Sequence, residues 1–295
     1  MPVVDIHSHL YPPEYIEIFE GTHLPGRPLT DHYYSVTAKI AFMDTHDIDI
    51  SVLSMGNPWL DFLEPSMAGE TAVSMNNAMN TLCEKYKQRL YFFAMLPLSR
   101  LDESTILVQV QNITMLPQAR GVVIGTNGLG DGLDDPRLLP VWRALAEADL
   151  PVFIHPNYGL PASVWGGKHG NSQIMPLSIG FTAETTIAIT RMFLARVFDK
   201  IPKLRLILSH SGGTLPFLAG RIEAFIFDKI GLKAAVEASG VDRVMFGTDH
   251  PFFAPVKKTA LWPAMTWNRD AVREALGDEE YAMVMGGNAK RVLHL

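Results

Sequence analysis

A single cysteine, Cys83, stands among the 295 residues, so no disulfide can close within the chain and a reducing compartment is its natural setting. No stretch approaches the ~18 apolar residues needed to span a bilayer. The opening residues MPVVDIHSHL lack the basic region and long apolar run of a secretory signal, which makes a cytoplasmic location the expectation. Lysine and arginine form no block and the net charge is -6, a balance that argues against nucleic acid as a partner. The glycine-rich stretch Gly125–Gly132 has neither the spacing of a phosphate loop nor the Rossmann order, so it reads as a βα loop. Repeats, low-complexity tracts and linkers are also missing, and residues 1–295 read as one domain.

What is present is a soluble-enzyme composition, 47% hydrophobic and 19% charged. Short apolar runs recur at Val3–His7, Ile48–Met55, Leu90–Met95, Gly121–Ile124, Pro151–His155, Leu204–His210 and Arg243–Gly247. Helical patterns lie between them at Ser35–Thr45, Ala68–Tyr86, Glu103–Leu116, Pro136–Asp149, Ala183–Phe198 and Leu215–Phe227. Continuous apolar strands suit a parallel sheet covered on both faces. Alternation of this kind leaves a (β/α)8 barrel or a doubly wound sheet as the leading architectures. Seven strands are found where a barrel needs eight. After Arg221–Phe227 the helical text runs straight on to Lys229–Ser239, so either the barrel is incomplete or a seventh strand is absent from the sequence near Asp228–Lys229. The second is favoured, because an incomplete barrel exposes unpaired sheet edges.

Metal-competent side chains stand at the ends of these runs. In Asp5-Ile6-His7-Ser8-His9, alternation at period two points His7 and His9 to one side. His155 ends Pro151–His155, and His210 ends Leu204–His210 before the turn Ser211-Gly212-Gly213. Asp249 follows Val244–Thr248. Any one of these could be a cap or a hydrogen-bonded core residue. All five at the carboxyl ends of strands would share the face of a barrel where active sites lie. The other histidines, His23, His32, His46, His169 and His294, fall in loops or on helices and read as structural or solvated. His250 reads as an anchor of the turn before Pro251, and Cys83 as a small core residue.

These motifs, with Ile154-His155-Pro156, Ser209–Gly213 and Phe246–Pro251, resemble the amidohydrolase superfamily, in its aminocarboxymuconate-semialdehyde-decarboxylase-like branch. The likeness covers nearly the whole chain. Leu24–Leu29, Asn57-Pro58-Trp59, Leu133–Pro136 and Gly212–Arg221 are similar to the fungal isoorotate (uracil-5-carboxylate) and 6-methylsalicylate decarboxylases. The resemblance implies a TIM barrel of amidohydrolase type, one zinc ion (or manganese) on His7, His9, His155 and Asp249, and His210 beside it as acid/base partner. It also implies Arg221 on the substrate carboxylate, Phe252 stacked on the ring, Asn57 and Trp59 lining the pocket, and a homodimer. Members of the branch carry longer segments where Glu20 meets Gly21 and where Asp228 meets Lys229. Two-metal relatives bridge their ions with a carbamylated lysine at the end of strand four; Val122–Thr126 offers none, so one ion is expected.

The expected activity is the zinc-dependent loss of CO2 from a small aromatic or heteroaromatic acid with an adjacent ring oxygen, with Asp249 delivering the proton. The alternative is hydrolysis of a lactone or cyclic amide on the same metal. A metal-binding protein without catalysis is a third reading, disfavoured by an open metal position beside a His-Asp pair.

Overall fold

The computed structural model describes residues 2–20, 31–165, 174–216, 218, 240–243, 245–248, 250, 262, 269, 273 and 277–295. Its sheet has six strands, β1 (Val4–His9), β2 (Ile50–Ser54), β3 (Leu90–Met95), β4 (Ala119–Gly125), β5 (Val152–His155) and β6 (Leu206–Leu208). They lie in sequence order and every neighbouring pair is parallel. Each connection must therefore cross back over the sheet, and helices do so. They include α1 (Pro13–Glu20), α2 (Val36–Thr45), α3 (Pro65–Glu84), α4 (Glu103–Thr114), α5 (Leu139–Glu147), α6 (Phe181–Leu194) and α7 (Val197–Lys200).

Side chains alternate across the strands and build two apolar layers. Val4, Val52, Phe93, Val123, Phe153 and Ile207 fill the concave side. Leu53, Phe92, Val122 and Ile154 face the helices, against Cys83 of α3, Ile106 of α4, Trp142 of α5 and Met192 of α6. Both faces are covered, which is why most of the strands read as largely apolar runs; β1, with Asp5, His7, Ser8 and His9, is the exception. Cys83 is fully buried in this outer layer, as its sequence context implied.

Local chemistry sets the helix ends. Ser35 Oγ accepts the Ala38 N–H at 3.1 Å, so α2 begins at Val36. Asp102 caps α4 by accepting the Thr105 N–H at 3.0 Å. The sequence places the start of α3 at Ala68, but the helix opens at Pro65, where a missing N–H costs nothing. The helix expected over Ala183–Phe198 is interrupted: Arg196 takes φ 58° between α6 and α7.

The last strand is a correction. Where Arg243–Gly247 was expected to be extended, Val241–Arg243 forms a 3-10 turn and residues 245–248 are irregular. The segment nevertheless lies on the outer edge of β1. Ile6 N–H donates to Phe246 O at 3.2 Å, Thr248 N–H to His7 O at 3.1 Å, and His9 N–H to His250 O at 2.7 Å. The curled sheet thus brings the late chain to its first strand, as in a (β/α) barrel. The junction Asp228–Lys229, where a strand was expected to be missing, lies outside the described residues.

β1 carries a bulge. Asp5 pairs with Ser51 and Ser8 with Leu53, so three steps on β1 match two on β2. Strict alternation would set Asp5 on the face of His7 and His9. The extra residue re-aims it: Asp5 and Ser8 both turn to the helix side, where each meets Lys39 of α2. Lys39 and Asp5 are fully buried, with Nζ 3.3 Å from Oδ2. Burial pushes the Lys39 ammonium below its usual pKa, and Asp5 opposes that shift. Removing one partner of such a pair costs about 3–5 kcal/mol.

Candidate metal centre

His7 and His9 leave the end of β1 and His155 the end of β5, and all three are buried. One ligand atom from each ring lies within 4.8 Å of the others. The rings meet edge to face, His7 5.1 Å from His9 and 5.4 Å from His155, and His9 5.3 Å from His155 between centroids. Donor atoms bound at about 2.1 Å to one ion lie within about 4 Å of each other, so a small contraction completes the site. Three imidazoles set in a wall of Phe153 suit a divalent transition metal.

The outer nitrogens say which atoms face the centre. His155 Nδ1 lies 3.0 Å from Pro156 O. A carbonyl only accepts, so Nδ1 carries the proton and Nε2 presents the lone pair. His9 Nδ1 lies 3.1 Å from Ser54 Oγ, the same arrangement through a hydroxyl.

His210 joins the cluster, its ring 5.1 Å from that of His7 and 5.3 Å from that of His155. It does not end a strand, as the sequence suggested. β6 stops at Leu208, and His210 opens a turn in which four successive residues have positive φ: 51°, 55°, 74° and 68° at His210, Ser211, Gly212 and Gly213. Gly213 is required there, because a Cβ would collide with Thr182 O and come within 2.6 Å of Thr186 Oγ1. Thr186 Oγ1 also accepts the Thr214 N–H at 2.9 Å, docking the turn on α6. The strained turn thus aims His210 at the other imidazoles.

Trp59 borders the cluster, its indole 6.1 Å from the His155 ring. The indole N–H donates to Met55 O at 2.9 Å, and the Trp59 carbonyl accepts from Tyr15 Oη at 2.8 Å. Asn57 donates its amide to Asn157 O, tying the loop after β2 to the loop after β5. At the end of β4, Gly125 pairs with His155, and the Asn157 carboxamide occupies the space a side chain at 125 would need. Asn157 is fixed in turn: its Oδ1 accepts from Thr126 Oγ1 at 3.1 Å and Asn127 N–H at 3.0 Å, and Glu184 accepts its N–H at 2.6 Å.

Asp249, Arg221 and Phe252 lie outside the described residues. Thr248 and His250, which flank Asp249, are hydrogen-bonded to β1 beside His7 and His9. His250 is not in the imidazole cluster. Its ring stacks on Phe42 at 3.9 Å, and burial drives its pKa far down, so it is a neutral packing group. His46 is likewise buried and packs on Phe42. The residues that sequence reasoning passed over are Lys39, Ser54 and Asn157. Lys39 left one trace, a lone cation within the apolar text Ala38–Met43; nothing marked the other two.

Comparison with known proteins bears on this geometry. The Amidohydrolase family matches residues 4–295. A 2-amino-3-carboxymuconate-6-semialdehyde decarboxylase of Dictyostelium discoideum is 26% identical over 84% of this chain and 81% of its own. A 6-methylsalicylic acid decarboxylase of Penicillium expansum is 26% identical over 85% of each. Among solved structures, the apo form of Metarhizium anisopliae IDCase is 43% identical and superposes with a TM-score of 0.92 over 99% of this chain and 97% of that one. A dihydroxybenzoic acid decarboxylase from a Polaromonas species, with bound manganese and the inhibitor 2-nitroresorcinol, shares the fold at 21% identity and a TM-score of 0.79, over 100% and 97% of the two chains. With its imidazole cluster at the ends of β1 and β5, and a family match over residues 4–295, the chain belongs to the amidohydrolase family.

Proposed function

We propose that this chain removes CO2 from a small aromatic or heteroaromatic acid bearing a ring oxygen next to the carboxylate, with 5-carboxyuracil first and 6-methylsalicylate second. The observation that carries the reading is the buried imidazole cluster, in which the outer nitrogens of His9 and His155 already have partners. The 43% identity to IDCase, an isoorotate decarboxylase, supports 5-carboxyuracil.

His7, His9 and His155 hold one divalent ion, with Asp249 as the fourth protein ligand. The Asn157 carboxamide fills the end of β4, which supports a single ion over a bridged pair. Zinc is assigned on its preference for imidazole, with manganese as the competitor. When bound, the ion supplies Lewis acidity toward the carboxylate and the neighbouring ring oxygen.

The chain's own groups do the rest. Arg221 pairs with the carboxylate, Phe252 stacks on the ring, and Asn57 and Trp59 close the pocket wall. Asp249 in its acid form gives its proton to the ring carbon that bears the carboxylate. The bond from that carbon to the carboxylate then breaks, its electron pair restores ring conjugation, and CO2 leaves. Asp249 is left ionised and regains a proton from water, with His210 as the adjacent exchange partner. A homodimer, on family likeness alone, and a cytoplasmic location, on the single cysteine and the character of the opening residues, complete the reading. No helix among the described residues is long and apolar enough to cross a membrane.

The test is metal analysis followed by a spectrophotometric screen of 5-carboxyuracil, 6-methylsalicylate and dihydroxybenzoates. Stoichiometric CO2 release is expected with one of them and its loss in Asp249→Asn. Ring opening of a lactone or cyclic amide without CO2 would establish the hydrolase instead. A metal-loaded protein inert toward all of them would sink both.

A further inference from the structure

The two sequence neighbours of residue 249 are held by anchors that trace back to one buried ammonium. On the helix side of the sheet, Lys39 Nζ donates to Asp5 Oδ2 at 3.3 Å and to Ser8 Oγ at 2.5 Å. The Asp5 carboxylate accepts Thr248 twice, from the backbone N–H at 3.1 Å and from Oγ1 at 2.8 Å. Ser8 Oγ in turn donates to His250 O at 3.3 Å. One arm therefore ends on the residue before 249 and the other on the residue after it.

Backbone pairing alone leaves this segment weakly specified. Residues 245–248 form no regular strand, and they lie along β1, which carries a bulge between Asp5 and Ser8 in its pairing with β2. A slip of one residue would break the pairing of Thr248 with Asp5 and of His250 with Ser8 and turn this segment's side chains to the opposite face. The approach is also close, since a Cβ on Gly247 would stand 2.5 Å from His7 Cβ. Apolar side chains in place of the Lys39–Asp5 pair would fill the space at less desolvation cost, but they would not select a register.

We propose that Lys39, Asp5 and Ser8 form a clamp that fixes the register of Thr248 and His250 against His7 and His9, which makes Lys39 a positioning residue for Asp249, the residue between them in sequence. The proposal rests on the assignment of Asp249 as a ligand and proton donor. Lys39 touches neither substrate nor metal. It acts from the far side of β1, through Thr248 and His250.

The experiment reads metal affinity of the metal-free chain by chelator competition, together with kcat and KM on the metal-loaded protein. Thr248→Val keeps the side-chain shape and cuts the hydroxyl arm; Ser8→Ala cuts the other. Each is expected to fold, to bind zinc or manganese about 10–100-fold more weakly, and to lose kcat with little change in KM. Lys39→Met strands a buried carboxylate, so it is paired with the neutral double variant Asp5→Asn/Lys39→Met, in which the same losses are expected. A double-mutant cycle with Asp249→Ala isolates the route: Thr248→Val should cost no further metal affinity once Asp249 is gone. Equal losses in both backgrounds, or wild-type affinity and kcat in Thr248→Val and Ser8→Ala, would overturn the clamp. Wild-type metal affinity in Asp249→Ala would overturn the ligand assignment beneath it. The affinity measurements need no substrate, so they stand whichever acid the enzyme uses.

Discussion

Ser54 Oγ lies 3.1 Å from His9 Nδ1, and the two residues are direct partners across the β1–β2 ladder. Strand register therefore fixes the orienting group of one imidazole of the cluster. The same hydroxyl reaches Ser8 O at 3.5 Å, so it can accept from His9 while donating to the backbone. Ser54→Ala should weaken metal binding about 10-fold, the usual effect of losing an orienting partner. Chelator competition measures it, with far-UV dichroism unchanged. Wild-type affinity would mean that packing alone orients His9.

The turn that carries His210 depends on a glycine at 213, where φ is 68° and a Cβ would strike the Thr182 carbonyl. Gly213→Ala should cost more than about 1 kcal/mol of stability, since alanine at positive φ is penalised even without a clash. Thermal unfolding reads the stability loss. The displaced turn should also lower kcat more than it raises KM.

Asp61 gives a pH signature. Burial raises its carboxyl pKa, against hydrogen bonds from Ser99 and Asn157 and the charge of Arg100. A native pKa above the unfolded one means that the native state favours the protonated form. Its contribution to stability is thus greatest below the ordinary carboxyl range of about 4 and is lost as pH rises through the raised value. Relative to wild type, Asp61→Asn should gain stability as the pH is raised from about 3 to about 8. Melting temperatures of both proteins across that range decide it, and a constant difference would refute the linkage.

Cys83 should be silent. It is fully buried, and burial pushes its thiol pKa far up. A thiol reagent should find no reactive group in the folded chain and one after denaturation. Cys83→Ser should cost about 1–3 kcal/mol, because it places a polar hydroxyl in the outer apolar layer. Rapid labelling of the native protein would contradict the packing.

The sequence by itself determined the class of the fold and the identity of the imidazole cluster. Parallel strands buried on both faces are mostly apolar, so β2 to β6 are visible as runs and β1 opens as one at Val3-Val4. A polar residue that ends such a run is conspicuous, which is why His7, His9 and His155 could be read directly. Tertiary structure decided what depends on register and on contacts between distant residues. The bulge in β1 turned Asp5 away from the histidines, which alternation could not foresee, because the extra residue appears only when β1 is laid on β2. Ser54 and Asn157 gain their roles from neighbours 45 and 27 or more positions away in sequence. His210 owes its aim to a left-handed turn docked on α6 rather than to a strand end. Lys39 is the sharpest case. On a helix a lysine is ordinarily a solvated charge, and only the folded sheet, by burying a carboxylate opposite it, makes it part of the frame around the metal centre.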